Sequence, residues 1–123
     1  MGAAQARKNI ERVAKYADMF SAMGTEPRLR IMQLLLSAHP AGLVVGEIQA
    51  ELGIPNSTLS HHLNRLILTG LVTQERQATT FICRANSRAI DSLLGYLIDE
   101  CCADAALAKT LVGEGHSDSP FPK

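Results

Sequence analysis

Three cysteines and one run of short polar residues carry the chemistry available to this chain. Cys83, Cys101 and Cys102 supply soft thiol ligands, and two of them are adjacent in sequence. An odd number of cysteines cannot all pair within one chain, so the set does not read as a secreted disulfide framework. Reduced thiols and a cytoplasmic location fit it better. The second set is Asn56, Ser57, Thr58, Ser60, His61, Asn64 and Arg65. Short amides and hydroxyls at a helix start let a backbone approach base edges closely, while an arginine and the first-turn amides hold phosphates. Thiols that respond to their surroundings, beside a surface suited to a nucleic-acid groove, imply a DNA grip controlled by thiol chemistry.

Both sets depend on elements that the sequence also specifies. Over residues 56–69, Leu59, Leu63, Leu66 and Ile67 recur at helical spacing and form an inward stripe, with the polar set mostly outside it. His62 lies beside the stripe and reads as a packed residue. Before this helix stands a short one over 46–52, closed by Gly53 in a left-handed cap position. After it, residues 71–75 and 80–84 alternate like paired strands around Arg76-Gln77-Ala78-Thr79. Arg76 and Gln77 at that tip either reach a minor groove or backbone, or stand in solvent. Cys83 shares a strand face with Phe81, and the neighbouring Arg84 is expected to lower its thiol pKa.

The flanking segments are helical. Near 3–22, Ile10, Val13, Ala14, Ala17, Phe20 and Ser21 mark one face. Thr25 is placed to cap a second helix, with Pro27 in its first turn and Leu29, Met32, Leu35 and Leu36 along one side. A last helix is expected over 87–111, with Cys101 in register with Ile90, Leu94 and Leu97. The tail from Gly113, residues 113–123, has a disordered composition.

The fold class is mainly α with a small β-hairpin: one winged helix-turn-helix domain over 1–112 with flanking helices. At 123 residues, 46% of them hydrophobic and without tryptophan, the core is modest, and such chains often complete it by dimerising. No apolar run approaches the ~20 residues of a membrane span, so no membrane partner is expected. Net charge is zero, but it is unevenly spread. Residues 1–90 hold ten Lys/Arg against six Asp/Glu, and residues 91–123 hold two against six. Phosphate attraction depends on local potential, so the balance permits DNA binding. No phosphate-binding glycine loop or catalytic triad spacing appears, and an enzyme is not expected.

The stretches MGTEPRLRIMQLLL and GEIQAELGIPNSTLSHHLNRLILTGLV closely resemble the ArsR family of winged-helix repressors, over roughly residues 18–85. The resemblance implies a homodimer joined through the first and last helices. It also implies an apo state bound to double-stranded operator DNA and released by an inducer. The wing departs from the commoner pattern, with Gln77-Ala78-Thr79 where glycine often stands.

The resemblance leaves the inducer open, because members place ligands at several positions. The stretch before the recognition helix reads Leu43-Val44-Val45-Gly46-Glu47, without the cysteine cluster of the arsenic sensors. The last helix carries Asp91, Asp99, Glu100 and Asp104 but no histidine, which argues against a zinc site. Thiols remain. Trivalent arsenic, soft and three-coordinate, matches a few cysteines without histidine. No permanent cofactor is expected; methylarsenite is the favoured inducer, needing two thiols, and arsenite would take three. Cys83 and Cys101 are the favoured pair, with Cys102 a spare ligand or structural. Cys101 lies ~21 Å along the last helix at 1.5 Å per residue, so the site either bridges subunits or needs the last helix to fold back across the domain. Two alternatives stand beside this reading: a repressor triggered by thiol oxidation, and a winged-helix protein-interaction module.

Overall fold

The computed structural model describes residues 2–101, with Cys101 described by its backbone alone. Five α-helices and three strands follow the order α1 (Ala3–Met23), α2 (Glu26–Ser37), β1 (Leu43–Val44), α3 (Val45–Leu52), α4 (Asn56–Leu68), β2 (Val72–Gln77), β3 (Thr80–Ala85) and α5 (Ser87–Tyr96). A π-helical turn, Leu97–Cys101, follows α5. Residues up to Ile90 form one compact unit, and a second begins at Asp91, inside α5.

Local chemistry sets the helix boundaries. The Thr25 hydroxyl accepts from the Arg28 amide at 3.4 Å, and Pro27 occupies the first turn of α2. Glu47 reaches back to accept from the Val44 amide at 3.1 Å, securing the start of α3. Gly53 ends α3 with φ 65°, and its amide bonds the Gln49 carbonyl at 2.8 Å. Ile54 and Pro55 complete a tight turn, and α4 begins at Asn56. Asn86 then locks the far end of the domain. Its amide group donates to the Gly70 carbonyl at 2.8 Å, and its side-chain oxygen accepts from the Ala89 amide at 3.3 Å.

The core collects Met19 and Ala22 from α1, Ile31, Met32 and Leu35 from α2, Ile48 from α3, Leu59, Leu63 and Leu66 from α4, Leu71 from the turn before β2, and Val72, Cys83 and Ala85 from the sheet. Fully burying each of the large aliphatic side chains is worth about 1.5–3 kcal/mol. Helix α2 lies centrally, packing on α1, α3, α4 and β3.

Two helices face inward on sides other than the sequence suggested. In α1 the buried residues are Tyr16, Met19 and Ala22, while Ile10, Val13 and Phe20 are exposed. The helix carries two apolar stripes, and the core takes the one nearer its C-terminus. In α2, Ile31 replaces Leu29 and Leu36 on the inner face, and both of those leucines stand in solvent. Met32 and Leu35 serve as expected.

The sheet has the order β1-β3-β2, all antiparallel, so β3 is the middle strand. Leu43 pairs with Cys83, and Cys83 with Gln74. Gly42, at φ 80°, lets β1 cross β3 closely; a Cβ there would stand 2.6 Å from the Cys83 carbonyl oxygen. The hairpin is tighter than the four-residue tip expected. Its ladder continues to Gln77–Thr80, leaving Ala78 and Thr79 as the turn, with Ala78 at φ 56°.

The last helix also departs from expectation. It is α-helical only to Tyr96, and the π-helical turn then widens the winding. The backbone over Leu97–Cys101 therefore does not follow the continuous α-helical spacing expected. Leu93, not Leu94, is the buried leucine of α5. Residues 102–111 of the expected helix, and the tail 113–123, lie outside the described residues.

Candidate nucleic-acid interface and thiol site

Helix α4 divides cleanly by face. Leu59, Leu63 and Leu66 are buried at 0–3% exposure, while Asn56, Ser57, Thr58, Ser60, His61 and Asn64 all stand in solvent. Pro55 precedes the helix and supplies no side-chain cap. The first-turn amides of Asn56, Ser57 and Thr58 therefore have no intrahelical acceptor and face outward, the usual geometry for holding a phosphate. Hydroxyls and carboxamides one turn further along have the donor and acceptor pattern that reads base edges.

Arg65, expected to hold a phosphate, is engaged within the domain. Its guanidinium donates to Asp18 of α1 at 2.8 Å, both partners partly exposed. Sequence alone gave no signal for this pair, since the two residues stand 47 positions apart. Arg76 folds back to donate to the Ala78 carbonyl at 3.1 Å, and Gln77 donates to Glu75 at 2.7 Å. That bond, followed by the charge of Arg84, holds the Glu75 carboxyl below its ordinary pKa. Both wing residues belong to β2, at its exposed end, and not to a loop.

His62 is half-buried, as its place beside the stripe implied, and its Nδ1 is enclosed without a hydrogen-bond partner. Burial first, then the charges of Arg28 and His61, lower its pKa below the ordinary imidazole value. The imidazole is therefore held neutral at pH 7.

Cys83 is wholly buried on the middle strand. The Gln74 carboxamide donates to its sulfur at 3.6 Å. Desolvation raises the thiol pKa, and the Gln74 bond offsets only part of that. The expected lowering by Arg84 does not occur. Adjacent residues on a strand point to opposite faces, and Arg84 instead donates to the Pro40 carbonyl at 3.1 Å and pairs with Glu75 at 3.6 Å. Cys102 and the Cys101 side chain fall outside the described residues. Among the described residues, no group of three or more His, Cys, Asp or Glu is gathered around one point.

The structure does bring recognition helix and wing together. Asn56, Ser60 and Asn64 of α4 share a groove with Gln74 of β2 and Phe81 of β3. Among the described residues, no helix is long and apolar enough to cross a membrane.

This is the architecture of a winged helix-turn-helix DNA-binding protein. A helix-turn-helix domain profile matches residues 23–75. A helix-turn-helix transcriptional regulator of Methanocaldococcus jannaschii is 39% identical over 70 residues, covering 57% of this chain and 76% of that one. HlyU of Vibrio cholerae, named as a transcriptional activator, is 33% identical over 84 residues, 68% of this chain and 75% of its own. The structure of reduced HlyU from the same organism matches with a TM-score of 0.59 at 28% identity, covering 77% of this chain and 98% of that one. A protein of Halobacterium salinarum, named for the repressor of an arsenical resistance operon, is 30% identical over 73 residues, 58% of this chain and 60% of that one. The chain belongs to the ArsR family of winged-helix transcriptional regulators. Like those relatives, it is a DNA-binding regulator of transcription.

Proposed function

We propose that this regulator is a homodimeric repressor that releases its operator when a trivalent arsenical is held by its cysteine thiols. The observation that carries the DNA half is the division of α4, whose Asn56, Ser57, Thr58, Ser60, His61 and Asn64 stand in solvent over a buried leucine stripe. The proposed reading places Asn56, Ser57, Thr58, Ser60, His61 and Asn64 in a major groove. Arg65, Arg76 and Gln77 serve the backbone once their internal partners let go. Support for the dimer comes from the second apolar stripe of α1, where Ile10 is 68% exposed and Val13 45%. A second copy covering that stripe would complete a core that one chain leaves open.

The arsenical half rests on ligand chemistry. Thiols are the soft donors here, and Cys83 lies on the strand that joins the wing to the core. Methylarsenite would take Cys83 and Cys101, and arsenite would add Cys102. The Halobacterium relative's name supports this choice of inducer. Because Cys83 is buried with a raised pKa, its engagement requires the sheet to open, and that opening would disturb the wing. Thiol oxidation is kept as a second reading because one similar structure is of HlyU in its reduced form.

Fluorescence anisotropy of reduced protein on DNA from its own promoter tests all of this. Methylarsenite is expected to release the DNA, and Cys83→Ser or Cys101→Ser to abolish release, with Cys102→Ser retaining it. Release that instead needs all three cysteines would assign arsenite. Release by peroxide, reversed by thiol reductant, with none by either arsenical, would establish the oxidation reading. DNA held with equal affinity whatever its sequence would remove the operator function itself.

A further inference from the structure

The groove between α4 and the wing has features that base reading does not use. It is an open-sided groove of ≈ 370 Å³, within the range of small-molecule pockets. Val45, Leu63, Ile67 and Phe81 give it apolar walls, and Asn56, Ser60, Asn64 and Gln74 give it neutral hydrogen-bonding groups. Phe81 is 44% exposed, an aromatic face left uncovered on β3. Among the described residues, no Lys, Arg, Asp, Glu or His lines the groove. A charged occupant would give up hydration without gaining a counter-charge, and a DNA phosphate would meet no cation there.

We propose that this groove binds a neutral, planar, largely apolar small molecule of about two rings, with hydrogen-bonding groups along one edge, and that its occupancy excludes operator DNA. The rings lie against Phe81, Ile67 and Val45, where stacking and apolar burial act together. The polar edge meets the carboxamides of Asn64 and Gln74. The exclusion follows because Asn56, Ser60 and Asn64 cannot serve base edges and such an occupant at once. That second clause rests on the proposed placement of α4 in the major groove; the binding itself does not. This site is separate in chemistry from the thiols, since it needs no reactive group.

The probe is 2-naphthamide, titrated into the full-length, isotope-labelled protein and followed by NMR. Saturable shifts are expected at the side-chain amides of Asn64 and Gln74. Phe81→Ala should weaken binding about tenfold, the scale of one lost aromatic contact. Ser60→Trp, at an exposed helical position, should fill the groove and abolish binding. Operator affinity should fall in proportion to occupancy in the unmodified protein. Shifts mapping elsewhere, no saturation up to the solubility limit, or binding indifferent to both substitutions would overturn the site. Saturable binding with operator affinity unchanged would overturn the exclusion. Failure of the unliganded protein to select its operator would instead condemn the DNA reading, leaving the groove result intact.

Discussion

Helix α4 and strand β3 belong to the same core, yet they present their chemistry in opposite directions. On α4, every residue suited to reading DNA is one the core rejects: Asn56, Ser57, Ser60 and Asn64 stay in water while Leu59, Leu63 and Leu66 go in. On β3, the residue with the most distinctive chemistry is the one the core accepts, and Cys83 has no exposed surface. Polar side chains announce an exposed functional face because burying them unpaired costs free energy. A cysteine announces nothing of the kind, being at home in either place.

The widest gap in that contrast lies between two neighbours on α4. Leu63→Ala should destabilise the fold by about 2–5 kcal/mol, as a cavity in a packed core does, measurable by urea denaturation. Asn64→Ala should leave the urea midpoint in place and cost about 1–3 kcal/mol of operator affinity, read by anisotropy. Equal effects of both on stability would mean that the two faces are not separate.

On the strand, Cys83→Ser should cost about 1–3 kcal/mol of stability by burying a hydroxyl that is a poorer fit than the thiol. If urea denaturation shows no loss, Cys83 is more accessible than its place in the sheet indicates. A smaller effect concerns the Asp18–Arg65 pair. Asp18→Asn should change stability by no more than about 1 kcal/mol, the range of exposed ion pairs. It also frees Arg65, so DNA binding should tighten, and the logarithmic salt slope should steepen by up to ~0.9, the value of one added phosphate contact.

The smallest effect is in pH. The folded-state pKa of His62 lies below its ordinary value of 6.5, so the folded protein holds fewer protons than the unfolded chain as acid is added. The stability this neutral imidazole allows is present above pH 6.5 and is lost as pH falls through the lowered value. The thermal midpoint should therefore decline from about pH 7.5 to about pH 5, and His62→Gln should flatten part of that decline.

Much of the architecture was legible because the punctuation is local. Thr25 with Pro27, Gly53 and Pro55 start and stop helices by their own backbone and capping chemistry, and the leucines of α4 need only a 3.6-residue period. What failed to show was relational. Two apolar stripes on α1 are equivalent in sequence, and only packing against α2 and α4 chooses between them. The π-helical turn after Tyr96 has no distinctive composition. The Asp18–Arg65 pair and the groove join residues from distant segments, and no spacing along the chain reports such meetings. For Cys83, its strand and its neighbours Phe81 and Arg84 were evident, but its depth depended on β1 crossing over at Gly42.

That crossing has a consequence in time. Cys83 is held from both sides, by β1 and by β2, and the gap at Gly42 leaves no slack above it. A reagent cannot set its own pace against such a thiol; it must wait for the sheet to part. At low concentration the reaction rises with dose, but at high concentration it levels off at the rate of opening, and more reagent gains nothing. On the proposed thiol-sensing reading, a cell carrying this regulator would meet a sudden toxic pulse with a fixed delay set by the protein, whatever the size of the pulse.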